Sequence, residues 1–247
     1  MTMNRRHFTM LATAFAFSGL AKCQTNGNSS VHTSSQAIKG YGDLVKDPNG
    51  LIDLPEGFVY QVISEYGNVM NDGMQVPDRA DGMGWFAVSD TKVALIRNHE
   101  LSSNHYNSGP MTKTVETPET FKAFTYDHLD NGTPLPGGTT SLVYDLENKQ
   151  VTNEYLSLTG TIRNCSGGIT PWGTWLTCEE NVTRTGEGVG KDHGWVFEVP
   201  APTMDTLTNP DTNNMVSSAI PLKALGRFNH EAAAVDPTTG IVYLTED

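Results

Sequence analysis

Three segments of this chain share one pattern: a turn, a short apolar strand and an acidic end. They are residues 91–100, 173–180 and 240–247. A fourth segment, 226–236, carries its acidic group ahead of the strand. Repetition of this kind restricts the fold to few choices. Each unit is too short to bury an apolar face alone, so neighbours must stack. In a β-propeller, equivalent acidic positions would converge near the central axis. In a β-sandwich, the alternative, the same acids would scatter over surface loops. The pattern favours the propeller, and the expected fold class is all-β.

Other features agree with short strands and many turns. The chain holds 24 Gly and 13 Pro, and few segments show the spacing of a long amphipathic helix. Strands are expected at 58–64, 85–89, 93–97, 140–145, 151–158, 174–178, 194–199, 232–236 and 241–245. Asp236-Pro-Thr-Thr-Gly240 reads as a hairpin turn, and so does Asp145-Leu-Glu-Asn-Lys149. Such strands make only two or three propeller blades, where ~4–8 are usual, and Asp247 follows a strand with no closing turn. The propeller is therefore expected to be incomplete in this chain.

Residues 1–23 read as an export signal rather than as fold. Twin arginines, Arg5 and Arg6, precede His7-Phe8 and an apolar run too short to span a bilayer. This resembles the signal of the pathway that carries folded proteins, so the twin-arginine machinery is an expected partner. Leu20-Ala21-Lys22-Cys23 resembles a lipoprotein box with Lys22 out of place. Lipidation of Cys23 and plain cleavage near Ala21 both remain open. Residues 24–40 form a polar linker, and 41–247 the expected domain. The resulting location is the periplasm or the cell surface.

A net charge of −12 argues against nucleic acid as a specific partner, because phosphate backbones need clustered Lys and Arg. An acidic protein can still bind an anion through bound cations. The residues that suit such cations cluster between Arg163 and Asn181, where Cys165, Cys178, Glu179, Glu180 and two asparagines surround a Gly-Gly-Ile-Thr-Pro turn. Cys165 sits in Asn-Cys-Ser-Gly-Gly, expected to be a tight loop. Strand alternation would bury Cys178 as a small hydrophobe. Spacing alone leaves open whether the two form a disulfide or Cys165 is a thiolate ligand. Adjacent Glu179 and Glu180 point to opposite faces of a strand, so one of them faces any metal.

Asn98-His99-Glu100 and Asn229-His230-Glu231 repeat one triplet. It is either a ligand motif or a structural one whose His ties neighbouring strands. Carboxylates suit Ca2+, and an added thiolate points to a transition metal such as iron. A His-Glu-x-x-His motif, a Gly-x-Ser-x-Gly elbow and a P-loop are absent.

Together these residues resemble the PhoX family of alkaline phosphatases. The resemblance includes 41–51, Leu54-Pro-Glu-Gly-Phe58, Asp81-Gly-Met83, Arg97-Asn-His-Glu100, Gly137-Gly-Thr-Thr140, the 163–181 stretch, Gly226-Arg-Phe-Asn-His-Glu231 and Tyr243-Leu-Thr-Glu-Asp247. It implies a six-bladed propeller that hydrolyses phosphomonoesters outside the cytoplasm, as a monomer, at a centre of Fe3+ and Ca2+. It implies Cys165 as the iron thiolate, favouring metal over a disulfide. Glu100, Glu180, Glu231 and Glu246 are implied as carboxylate ligands, with Glu179 and Asp247 as further candidates. Arg227 and Asn164 are implied on the phosphate side, and Cys165 and Glu231 at the catalytic centre. It also implies more blades beyond Asp247, which makes the chain a fragment. Two competing expectations are a calcium-dependent propeller lactonase or esterase, needing no thiolate, and a non-catalytic, calcium-stabilised surface propeller that binds a partner.

Overall fold

The computed structural model describes residues 40–111, 119–122, 124–211 and 216–247. The twin arginines, Cys23 and most of the linker lie outside them. The chain divides into two compact units, Met1–Tyr60 and Gln61–Asp247. In the first, β1 (Leu44–Val45) and β2 (Leu54–Pro55) pair antiparallel. The Asp47 carboxylate organises the turn between them. It accepts the Tyr60 hydroxyl at 2.7 Å and the backbone N–H groups of Asn49, Leu51 and Ile52. The Tyr60 bond, with those amides, holds its pKa down at about 2.

Among its described residues, the second unit forms three antiparallel sheets in chain order. The first has four strands: β3 (Ala80–Ala87), β4 (Lys92–His99), β5 (Gly137–Asp145) and β6 (Gln150–Thr161). The second has three: β7 (Asn164–Ile169), β8 (Thr174–Glu179) and β9 (Val196–Pro200). The third has two: β10 (His230–Val235) and β11 (Val242–Glu246). Among the described residues, helix is confined to single turns, such as α1 (Glu119–Lys122) and α2 (Met204–Thr208). The fold is all-β.

Alternation along the strands builds the core between the sheets. Phe86, Ala94, Ile96, Val143 and Leu158 of the first sheet join Trp175, Phe197 and Val199 of the second. Leu176, Cys178 and Val196 meet Ala233 of the third sheet. Each large side chain buried this way is worth about 1.5–3 kcal/mol. The turns at 145–149 and 236–240 form as expected. The Asp145 carboxylate takes the N–H groups of Glu147 and Asn148, while Asp236 takes that of Thr238.

Two expectations about local structure are corrected. Residues 58–64 form no strand, and the division between the two units falls inside that segment. Ser64 is instead anchored by its hydroxyl, which donates to Glu154 at 2.6 Å. Residues 164–168, expected to be a tight loop, belong to strand β7. Glycine disguised it by lowering strand propensity. Close packing is what calls for glycine there. A Cβ on Gly168 would lie 2.1 Å from the Ala233 carbonyl oxygen of β10, and one on Gly82 of β3 would lie 2.7 Å from Ser166 Cα. Strand β7 thus runs in close contact with both neighbouring sheets.

Candidate metal centre

That close packing brings three sheets to one place. The β7–β8 register sets Asn164 opposite Glu179, so the start of β7 lies beside the end of β8. Strand β10 approaches β7 at Gly168. Cys165 of β7, Glu180 just past β8 and Glu231 of β10 consequently converge, with ligand atoms all within 4.8 Å of one another. All three are half-buried. Cys165 and Glu231 both lie where their strands' register slips, between Asn164 and Gly167 and between His230 and Ala233. Such bulges re-aim side chains out of the regular alternation. The Cys165 thiol donates to Glu231 Oε1 at 3.4 Å.

Glu100, just after β4, reaches the same place through Arg163. One guanidinium nitrogen, Arg163 Nη2, bonds Glu100 Oε1 at 2.7 Å and also Glu180 Oε2. Arg163 lies in the short turn between β6 and β7 with φ of 50°, a left-handed conformation that costs a side-chain-bearing residue energy. Its backbone is pinned on both sides. Its N–H donates to Leu101 and its carbonyl accepts from the Glu180 N–H, each at 2.9 Å.

Buried amides and hydroxyls fix the frame behind this cluster. Asn98 is fully buried and uses its whole hydrogen-bonding capacity. Its Nδ2 donates to the Cys165 and Ser166 carbonyls at 3.0 and 2.8 Å. Its Oδ1 accepts Trp175 Nε1 and Thr177 Oγ1, both at 2.9 Å. Asn164, expected on the phosphate side, is buried in the same network, accepting from Thr161 and donating to Thr177.

The histidines of the two triplets bond to groups within the protein. His99 bridges the Asp78 carbonyl and the Thr140 hydroxyl, each at 2.9 Å. Burial, and then Arg97, push its pKa down to about 3, so it is neutral. His230 donates to the Gly226 carbonyl and packs on Phe228 with ring centroids 3.7 Å apart.

Glu179 faces the other way from Glu180, as strand alternation requires, and is fully buried. It accepts from Ile162 N, His193 Nδ1, Gly194 N and Trp195 N at 2.7–3.1 Å. His193 Nε2 in turn faces Asp127 Oδ2 at 3.3 Å. Burial alone would lower the His193 pKa, but the Glu179 and Asp127 carboxylates overcome it and raise it. Cys178 is fully buried, and both cysteines are free, so they form no disulfide. Arg227 donates to the Val182 and Thr183 carbonyls. Glu246 stands opposite His230 across β10–β11, and both Glu246 and Asp247 are exposed.

The cluster's electrostatics suit a cation. Burial, then Asp81, Glu231 and Glu180, push the Cys165 thiol's pKa far up. One sulfur and two carboxylates this close repel one another's charge unless a positive ion sits among them. Sequence reasoning missed three participants. Asp81 stands beside Gly82 at the β3–β7 approach, Arg163 depends on a turn conformation, and His193 pairs with residues far from it in the chain.

A family model described as alkaline phosphatase PhoX matches residues 39–143 and 133–247. Searches of curated proteins and of solved structures gave no match.

Proposed function

This chain belongs to the PhoX alkaline phosphatase family, and on that premise we propose that it hydrolyses phosphomonoesters at a cation centre built on Cys165, Glu180 and Glu231. The observation that carries this reading is the convergence of those three ligand atoms within 4.8 Å. Their chemistry fits the ions. The sulfur suits Fe3+, and the hard carboxylate oxygens suit iron and Ca2+ alike. Bound cations supply the positive charge that phosphoryl transfer demands, and activate water. This reconciles an anionic substrate with a chain of net charge −12.

The protein's own residues divide the remaining work. Glu100 joins the ligand set through its place on Arg163, and Glu246 extends it along β11. Asn98 holds the Cys165 backbone so that the thiol cannot drift from Glu231. Glu179 locks the end of β8 from the interior and so aims Glu180. Asn164 and Arg227 support the centre from behind, Asn164 through Thr161 and Thr177 and Arg227 Nη2 through the Val182 and Thr183 carbonyls. We further propose that the sheets form part of a β-propeller, and that the twin-arginine segment exports the protein to the periplasm or cell surface. Replacing Arg5 and Arg6 by Lys should then hold it in the cytoplasm on fractionation.

The test replaces Glu231 or Cys165 by Ala and measures iron and calcium content together with hydrolysis of p-nitrophenyl phosphate. Both variants should lose metal, and turnover should drop by about two to three orders of magnitude. Near-normal metal and turnover in both would rule the centre out.

A further inference from the structure

We infer that Arg163, bonded to Glu100 and Glu180, is the phosphate-anchoring arginine of this centre. The inference rests on the proposed cation centre and adds a substrate-contacting residue to it.

Four observations lead there. First, Arg163 is the basic side chain seen bonded to the cluster among the described residues: its Nη2 contacts Glu100 and Glu180 together. Arg227, in the 226–231 segment, is instead bonded to neutral backbone carbonyls. Second, the guanidinium is not used up. Its Nε is buried and has no partner, a property it shares with Arg97 and Arg227, but of the three Arg163 alone also holds two carboxylates of the cluster. A buried N–H left unsatisfied is costly, and it persists where a ligand is to be met. Third, the backbone of Arg163 is held in a left-handed turn by bonds to Leu101 and Glu180, so the root of the side chain is fixed while its end rests on two surface-accessible carboxylates. Strain of this kind is maintained where a side chain must be presented. Fourth, the chemistry is matched. A planar guanidinium takes two oxygens of a phosphate as readily as it takes carboxylates.

These observations give Arg163 two successive partners. Its charge offsets the repulsion between Glu100 and Glu180. Once those carboxylates serve as ligands they hold the guanidinium less tightly, because their charge is shared. The freed donors, Nε included, are then available to phosphate oxygens. The same residue thus opposes cation uptake and favours substrate, and the two effects have opposite signs on mutation.

The experiment uses the full chain and compares the wild type with Arg163→Gln and Arg163→Lys. Calorimetry of Ca2+ binding to chelator-treated protein is followed, in metal-loaded protein, by calorimetry of inorganic phosphate. In Arg163→Gln, Ca2+ should bind more tightly and phosphate about 10- to 100-fold more weakly. Arg163→Lys, which keeps the charge and loses the fork, should fall between for both. A merely structural arginine would weaken both together. Loaded Arg163→Gln that binds phosphate as the wild type does, or that loses Ca2+ while Arg163→Lys keeps it, overturns the inference and leaves the cation centre standing. A wild-type chain that takes up neither calcium nor iron overturns the centre and the inference with it.

Discussion

Two acidic clusters lie back to back across the end of β8, and they differ in what holds their charge. On the inner side, Glu179 accepts four N–H donors from fixed positions, and His193 links it to Asp127. On the outer side, Glu180 and Glu231 rest on one arginine and one thiol. The inner carboxylate is complete without any ligand. The outer ones have lone pairs to spare and neighbours of like charge. A fully satisfied buried carboxylate stabilises the fold, whereas a partly satisfied one at a surface is available for chemistry. Neighbouring glutamates have therefore been given opposite tasks by nothing more than the alternation of a strand.

The sharpest way to break this contrast is to truncate one carboxylate from each cluster. Glu179→Ala should cost about 3–5 kcal/mol, because it strands His193 and three backbone N–H groups in the interior. Glu231→Ala should change the stability of the metal-free protein by less than about 1 kcal/mol. Urea denaturation of the two variants measures both, and equal losses would abolish the distinction.

A second variant tests whether the outer cluster depends on sheet spacing rather than on its ligands alone. Gly168→Ala sets a methyl group against the Ala233 carbonyl. It should cost about 1–3 kcal/mol and weaken metal binding, although every ligand remains. Thermal melting with metal titration checks it; unaltered metal affinity would show that β10 needs no such contact.

The inner cluster also has a pH signature. His193 has a raised pKa in the folded state, so its stabilisation is complete below the ordinary histidine value of about 6.5 and is lost as pH rises through the raised one. The melting temperature of metal-free protein should therefore decline over that alkaline range, and His193→Gln should flatten the decline. The same slope in both proteins would remove His193 from the account.

The smallest effect separates the cysteines. Cys178→Ala should cost about 1 kcal/mol through lost packing and leave iron content intact. A drop in iron would give Cys178 a part in holding the ion.

Much of this architecture is legible in residue order. Strands β4, β5, β6 and β8 follow from alternating apolar positions, the turns at 145–149 and 236–240 from Asp, Asn and Gly, and the burial of Cys178 from its place in β8. The opposed faces of Glu179 and Glu180 are a matter of period alone. What escaped is set by contacts between distant segments. Strand β7 looks like a loop because its glycines answer to Ala233 in another sheet. The tasks of Asn98 and Arg163 depend on groups that no local spacing relates. The strand expected at 58–64 is rich in apolar and β-branched residues, yet no strand pairs with it among the described residues.

The Asn98 side chain has one more consequence, for the order in which the molecule is made. It grips the Cys165 carbonyl from β4 and, through Trp175 and Thr177, β8 as well. No ligand position is therefore defined until the first two sheets have docked and β10 has closed on them. Closing such long loops is slow and comes late in folding. An ion that meets the nascent chain finds single, separated side chains and gains little from any of them. On the proposed cation centre, loading would thereby act as a quality check, since only a chain whose sheets have all been assembled would retain ions.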